Sequence, residues 1–217
     1  MLVALVAVLA GCGAASSASS RGPIVSDHNP ADQARAQAML LTVDDLPAAG
    51  WTGTPWKRSG FQITRCIPMG DLTEKGDAHS DNFDSGPARI TSHATVFGGA
   101  AEATAAMQRL RAPAVLDCVT AALNAELKKH AEPGVTFDRL KIAPLDVPAA
   151  GDESSGLRIT ATVDTQGQTL QLYSDGVFVR VGDAVSTLGF TNLPTPIDPA
   201  TRSHLVDVVA GRMAASQ

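Results

Sequence analysis

Apolar and polar residues alternate with a period of two in several stretches of the chain. Between Leu157 and Val163 every odd position is apolar and every even position is Arg or Thr. Successive side chains of a strand point to opposite faces, so this pattern predicts strands with one buried and one wetter face. The predicted strands are 89–97, 136–142, 157–163, 169–173, 177–181 and 184–190. Turn residues at 166–167, 174–176 and 182–183 predict that the last four form an antiparallel meander.

Four other stretches carry apolar residues at helical spacing, and we expect helices there. They are 31–41, 100–111, 115–130 and a last helix that contains Leu205, Val209 and Met213. Asn29 or Asp27 is the expected cap of the first helix, and Asp198 followed by Pro199 is typical of a helix start. Residues 50–66 are predicted to be loop with at most one short strand, and the polar segment 70–87 to be a surface loop.

These elements predict one α+β domain with an antiparallel sheet, helices packed on one face and the other face open. A length of 217 residues suits one hydrophobic core better than two. Aromatic residues make up 4% of the chain, so few large side chains are available as anchors for a ligand.

The first ten residues form an unbroken apolar run, too short to span a bilayer but of the length found in signal peptides. Leu9-Ala10-Gly11-Cys12 resembles the bacterial lipobox, in which the cysteine after a small residue is lipidated. We therefore predict a lipoprotein signal peptide at 1–11, a lipidated Cys12 with a flexible tether at 12–30, and a folded domain at 31–217. The alternatives are an ordinary cleaved signal with a chance cysteine and an uncleaved buried helix.

Anchoring by Cys12 would place the domain on the outer face of the cell membrane, in an oxidising environment. Two cysteines then remain, Cys66 and Cys118, and we predict that they form one disulfide. Two separate buried thiols are the alternative. A metal site is not expected at either cysteine, because neither has a second Cys or a His at ligand spacing.

The formal charge of −5 and the scattered Lys and Arg residues argue against a nucleic-acid partner. No motif predicts a cofactor or a metal site. The acidic and polar cluster within 77–84 lacks the spacing and closing glutamate of a calcium loop, so we interpret it as a solvated loop. Ser85 lacks the partners of a catalytic serine, and Asp152 and Glu153 are interpreted as part of a turn.

Four residues are candidate ligand contacts, although the sequence does not identify the ligand. Trp51 and Trp56 flank Pro55 and would line a groove for a sugar or lipid chain, or else cover the core. Phe178 and Arg180 alternate with the valines of a predicted strand and so belong to its other face.

Several segments occur in an order that resembles mycobacterial and related actinobacterial envelope lipoproteins. They are LLTVDDLPAAGW (40–51), Cys66, ATVFGGAAEATAAMQRLR (94–111), Asp117-Cys118-Val119, GDESSGLRITATV (151–163) and GDAVSTLGF (182–190). The order is also similar to the extracellular sensor domain of PknH-type receptor serine/threonine kinases, over about residues 31–215. The resemblance implies an α+β domain with a cleft for an unknown envelope ligand. The kinase sensor has two disulfides, whereas this chain has cysteines for one, so the shape of the cleft does not carry over.

We therefore expect a non-catalytic binding domain, whose partner is the membrane through Cys12 together with an envelope lipid, glycan or protein. One alternative is an enzyme acting on envelope material, which would require two or more of His79, His93, Asp152 and Glu153 to converge in a pocket. The other is a structural or assembly factor with a broad apolar docking surface.

Overall fold

The computed structural model describes residues 24–46, 50–57, 66–129, 135–165 and 167–217. The strands are β1 (Val25–Ser26), β2 (Thr52–Thr54), β3 (Thr73–His79), β4 (Asn82–Ser85), β5 (Ala88–Phe97), β6 (Val135–Leu145), β7 (Glu153–Thr165), β8 (Gln168–Val181) and β9 (Ala184–Asn192). The helices are α1 (Pro30–Ala38), α2 (Ala100–Leu110), α3 (Pro113–Lys129) and α4 (Pro199–Ala215), with one 3₁₀ turn at Val43–Asp45. Cys12 and the predicted signal peptide lie outside the described residues.

The described strands form one sheet in the order β1-β3-β5-β9-β8-β7-β6, and β4 pairs with β5 and with β2. Every pairing is antiparallel except that of β1 with β3, which is parallel. The turn predicted at 182–183 joins β8 to β9, and Gly182 adopts a φ of 56° that favours glycine. Of the turn predicted at 166–167, the described residue is Gly167, with a φ of 79°. The predicted α+β class is confirmed, with a sheet that β1 makes mixed.

Helices pack on both faces of this sheet, so the prediction that they cover one face was wrong. On the first face, α1 and α4 pack on Ile90, Val177, Leu188 and their neighbours. On the second face, α2 and α3 pack on a smaller cluster that includes Phe97 and Phe178. The alternation in β5 and β8 concealed this second core, because apolar residues occupy both faces at the ends of these strands where α2 packs.

β8 is one continuous strand, so the hairpin predicted at 174–176 was wrong. Asp175 is paired with Phe190 of β9 in the sheet and is only 2% exposed. Its carboxylate accepts two hydrogen bonds of 2.6 Å from Arg158 and one of 2.9 Å from Arg202 of α4. A sequence typical of a turn thus continues as a strand, because two arginines compensate the buried charge.

The polar segment predicted to be a surface loop contains β3 and β4 instead. β3 lies between β1 and β5, and α1 crosses it closely at Gly76. A Cβ atom at position 76 would lie 2.3 Å from the carbonyl oxygen of Asp32, so only glycine permits this approach. Ala78 is the one residue of β3 whose side chain joins the hydrophobic core, which explains why the segment lacks an apolar pattern.

The predicted helix starts are confirmed. The Asn29 side chain accepts a hydrogen bond of 3.0 Å from the backbone N–H of Asp32, and that of Asp198 accepts one of 3.0 Å from Thr201. The folded part extends further towards the N-terminus than the predicted boundary at 31, because Val25 pairs with Thr73 in the sheet.

Cys66 and Cys118 form a disulfide, with an S–S distance of 2.12 Å and Cα atoms 5.5 Å apart. The bond connects α3 to the segment that precedes β3, and Cys66 packs against the second-face core. Within the described part of the chain, no helix is both long and apolar enough to cross a membrane.

Removing the buried carboxylate should destabilise the domain strongly. We expect Asp175→Ala to lower the free energy of unfolding by about 3–5 kcal/mol, because Arg202 would remain buried without a counter-charge. Asp207→Ala, at an exposed position of α4, is the matched control and should change it by less than about 0.5 kcal/mol. Urea unfolding followed by circular dichroism measures both, and equal midpoints would contradict this role of Asp175.

The disulfide closes a loop with a sequence separation of 52 residues. On the chain-entropy account, the double variant Cys66→Ser with Cys118→Ser should lose about 4 kcal/mol of stability. Alkylation of the unreduced protein should label neither cysteine, and alkylation after reduction and unfolding should label both. Labelling of both in the unreduced folded protein would show that the bond is absent.

Candidate functional site

The pairing of β3 with β5 brings three metal-binding or acid–base side chains together on the second face of the sheet. His79 lies directly opposite His93, and Asp77 lies opposite Thr95. Residues two apart on a strand share a face, so Asp77 and His79 project to the same side as their partners on β5. We call this cluster, together with Trp56, the histidine patch.

Three aromatic rings of the patch form a stack. The ring centroids of Trp56 and His79 are 3.7 Å apart with planes 3° from parallel. Those of His79 and His93 are 4.1 Å apart with planes 6° from parallel. Trp56 follows β2, so a residue from outside β3 and β5 covers one face of the histidine pair.

Asp77 links the two histidines. Its carboxylate is hydrogen-bonded to Nε2 of His93 and accepts a hydrogen bond of 3.3 Å from Thr95, while Nε2 of His79 lies 3.7 Å from Oδ2. Burial by itself raises the pKa of the Asp77 carboxyl. The hydrogen bond and the charges of the two histidines outweigh it and hold that pKa below its ordinary value. Asp77 is therefore a carboxylate at neutral pH.

The backbone under the patch is held from several sides. The side chain of Gln33 on α1 donates a hydrogen bond of 2.6 Å to the backbone carbonyl of Asp77 and accepts one of 3.2 Å from the backbone N–H of Asp77. On the opposite face, the buried Ser80 and Ser92 connect the strands next to the histidines by backbone and side-chain hydrogen bonds of 2.9 Å. The side chain of Ser186 in β9 donates a hydrogen bond of 3.1 Å to the backbone carbonyl of His93. The patch thus stands on a rigid scaffold, as a binding site requires.

The patch is accessible as well as ordered. The side chains of Asp77, His79 and His93 are 21%, 24% and 28% exposed, in contrast to Phe97, which is 4% exposed where α2 begins. Each of the three offers one possible metal-ligand atom, and these atoms lie within 4.8 Å of one another. The arrangement is able to bind a cation, to stack on a flat ligand, or to exchange a proton between carboxylate and imidazole.

The four predicted ligand contacts are separated in the structure. Trp56 belongs to the patch, whereas Trp51 packs against the first-face core and so covers it. Phe178 is 3% exposed within the second-face core, so its ring is inaccessible to a ligand. Arg180 donates to the Asp152 carboxylate at 3.0 Å and to the Gly182 carbonyl at 3.1 Å.

The acidic pair that follows Gly151 does not join the histidines. Glu153 lies 2.6 Å from Arg111 and 3.4 Å from Arg180, so it links α2 to the sheet. His79 and His93 meet on one face of the sheet, whereas the enzyme hypothesis requires such residues to converge in a pocket. Asp84, from the predicted polar loop, is 2.7 Å from Arg89.

The patch is not evident from the sequence, because the polar composition of 70–87 predicts a loop, in which alternate residues share no face. The signal was Asp77-x-His79, an alternation that places both side chains on one face of a strand. His93 lies in a strand that the sequence predicts. That it faces His79 depends on the pairing of β3 with β5, which no local sequence pattern specifies.

A second surface feature lies beside the 3₁₀ turn and has its own lining residues. It is an open groove lined by Leu41, Thr42, Val43, Gly53, Asp81 and Phe83. None of these six residues is a histidine or a cysteine, and Val43 is 45% exposed at the groove's rim.

No protein-family model and no curated protein matches the chain. Among solved structures, the chain is similar to the extracellular domain of PknH from Mycobacterium tuberculosis. The two share 10% sequence identity and a TM-score of 0.49, over 85% of this chain and 98% of that domain. PknH is the kinase to whose extracellular domain the segments quoted above are similar. A similarity at this level carries no argument about what this chain binds.

The ring stack should be visible in the spectra of Trp56. In a Trp51→Phe background, we expect His79→Ala to shift the Trp56 emission to longer wavelength and weaken its near-ultraviolet dichroism, because the indole loses the ring packed against it. The pair should contribute about 0.5–1.5 kcal/mol to stability. His204→Ala, at an exposed position on α4, should leave the spectra unchanged, and an identical effect of both variants would contradict the stack.

Proposed function

We propose that this protein is an exported, lipid-anchored binding domain of the cell envelope, and that it is non-catalytic. Its anchor is lipid on Cys12, and its ligand site is the histidine patch. The observation that carries the proposal is the partly exposed stack of Trp56, His79 and His93 beside a carboxylate, on a backbone fixed by α1 and the sheet.

The anchoring part of the proposal is supported by the N-terminal sequence. The apolar run and the lipobox-like Leu9-Ala10-Gly11-Cys12 are followed by a Ser-, Ala- and Gly-rich stretch, and the sheet begins at Val25. A Ser-, Ala- and Gly-rich composition is typical of linkers between an anchor and a domain. The domain would then stand clear of the lipid headgroups with its patch accessible.

The chemistry of the patch favours a polar ligand over a lipid chain. Around Asp77, the second face of the sheet carries Thr91, Thr95 and Thr187 besides the two histidines. Apart from Thr95, which is buried, these side chains are partly exposed. A hydrocarbon chain laid over them would therefore remove the water that solvates their hydroxyl and carboxylate oxygens, at a cost of about 1–3 kcal/mol for each contact that is not replaced. A glycan, a small polar molecule or an ion satisfies them, and a flat sugar face matches an indole ring.

An enzyme acting on envelope material is the second candidate, and one observation favours it. The Asp77 carboxylate is hydrogen-bonded to His93 and lies beside His79, which is the way a general base is oriented. Incubation with cell-wall glycans and acyl esters tests it. Turnover that is lost in His93→Ala, with folding unchanged, would replace the binding proposal by an enzymatic one.

Cys12→Ala should release the protein from the membrane. We expect the wild-type protein in the membrane fraction and the variant in the soluble exported fraction, because a single lipid-bearing cysteine is the proposed attachment. Ser17→Ala, in the stretch that follows, is the control and should leave the protein at the membrane. A variant that stays membrane-bound would overturn the lipid anchor.

Native mass spectrometry of the protein extracted gently from its own envelope tests the binding part. We expect an added mass that disappears on denaturation and that is reduced in Trp56→Ala but not in Trp51→Phe. A bare mass for the wild-type protein, together with no change in Trp56 emission when envelope extract is added, would contradict a binding role for the patch.

A further inference from the structure

Asp77, His79 and His93 together have the composition of a metal centre rather than of a structural ion pair. They supply one carboxylate oxygen and two imidazole nitrogens, on two neighbouring strands and on the same face of the sheet. We propose that the histidine patch binds one divalent transition-metal ion, of which Zn²⁺ and Cu²⁺ are the best candidates. This inference rests on the proposed function and specifies the ligand of the same site.

The donor atoms select the class of metal. Imidazole suits Zn²⁺, Cu²⁺, Ni²⁺ and iron, whereas Mg²⁺ and Ca²⁺ prefer sites made of oxygen alone. No thiolate competes, since Cys66 and Cys118 are joined in the disulfide. The Asp77 carboxylate supplies an oxygen donor and the negative charge that a dication attracts.

The distances are close to those of a bound ion. With metal–ligand bonds of 2.0–2.1 Å, the donor atoms of a tetrahedral site lie about 3.4 Å apart. The three atoms here lie within 4.8 Å of one another, so the widest separation must close by at most about 1.4 Å. The hydrogen-bonded nitrogen of His93 and oxygen of Asp77 must instead move apart to admit the ion between them. Side-chain movements of this size do not require the strands to shift. The strands keep their positions because Gln33, Ser80 and Ser92 hydrogen-bond to their backbone.

One ring must turn when the ion binds. A metal bonds to an imidazole nitrogen near the plane of the ring, and the planes of His79 and His93 are almost parallel, so a single ion cannot lie in both. Rotation of a histidine about its side-chain bonds removes this conflict. Because Trp56 is stacked on His79, such a rotation would change the surroundings of the indole.

Binding also requires a proton to leave the donor atom. Nε2 of His93 is hydrogen-bonded to Asp77, and the ion would take the place of the hydrogen between them. A neutral ring keeps its proton by carrying it on Nδ1 instead, whereas an imidazolium releases it to water. The product is the metal bonded to the ring nitrogen and the carboxylate oxygen, with no change of oxidation state.

Three protein ligands leave at least one coordination position for water or for a group of another molecule. Structural zinc sites are closed by four protein ligands, so an open site on an accessible face is suited to exchange. The patch would then bind a polar envelope molecule through the metal, by a carboxylate or phosphate oxygen, rather than by the protein side chains alone.

The test is titration of the lipidated, untagged full chain, stripped of metal and held in detergent, with ZnSO₄ in a calorimeter. We expect one Zn²⁺ per chain, and binding at least about tenfold weaker in His79→Ala, His93→Ala and Asp77→Asn. His204→Ala is the matched control and should bind as the wild type does. CaCl₂ and MgCl₂ should give no saturable heat.

A second readout does not depend on those variants folding. In the Trp51→Phe chain, CuSO₄ should quench the Trp56 emission and saturate at one equivalent, because the ion would bind beside the stack. Quenching that does not saturate, or the absence of stoichiometric Zn²⁺ uptake by the folded chain, overturns the proposal. So does unchanged affinity in folded His79→Ala and His93→Ala.

The metal proposal and the binding proposal fail in different ways. If Zn²⁺ does not bind, yet the envelope-extracted protein carries an organic mass that Trp56→Ala loses, the metal is excluded and the binding role of the patch stands. If neither the metal nor an organic molecule binds, both proposals are wrong.

Discussion

The need to bury both faces of the central strands is the constraint on which the rest of this structure depends. β5, β9 and β8 carry apolar side chains on one face along most of their length, and on the other face towards one end. Burial of apolar surface is the main favourable term in folding, so each face requires its own helices. α1 and α4 cover the first face, and α2 and α3 cover part of the second, where the disulfide fastens α3 to the segment before β3.

The position of the histidine patch follows from this division. α2 begins just after β5 ends, so it covers the last residues of that strand and leaves the residues further back more exposed. Along one face of β5, Phe97 and Thr95 are buried, at 4% and 8% exposure, whereas His93 and Thr91 are partly exposed. Polar side chains are tolerated on the part of this face that α2 does not cover, because they remain in contact with water. In that part the pairing of β3 with β5 places His79 and Asp77 beside His93. The site is thus a consequence of where the second core stops.

The two clusters of charged side chains serve opposite purposes. The charge of Asp175 is buried and compensated by Arg158 and Arg202, so it ties α4 to β7 and β8 and has no access to a ligand. The carboxylate of Asp77 is only partly buried and is hydrogen-bonded to a histidine. A histidine side chain can bind a metal or exchange a proton near neutral pH, whereas an arginine side chain stays protonated and does neither. The difference in partner, rather than in the carboxylate itself, separates a structural ion pair from a site able to exchange ions.

The sequence by itself determined what depends on neighbours along the chain. Periodicity, capping and turn composition are local properties, and they predicted the strand at 157–163, the helix starts at Asn29 and Asp198 and the turn at Gly182. The pairing of Cys66 with Cys118 was predicted because these are the two cysteines that remain besides Cys12. Only the tertiary structure decided that a turn-like Ser-Asp-Gly runs on as strand and that helices cover both faces. The same holds for the polar segment around Asp77, which became a strand whose histidine faces His93. These results depend on contacts between distant segments, namely the arginines at Asp175, the register of β3 against β5 and the close approach of α1 at Gly76. No short stretch of sequence specifies such contacts.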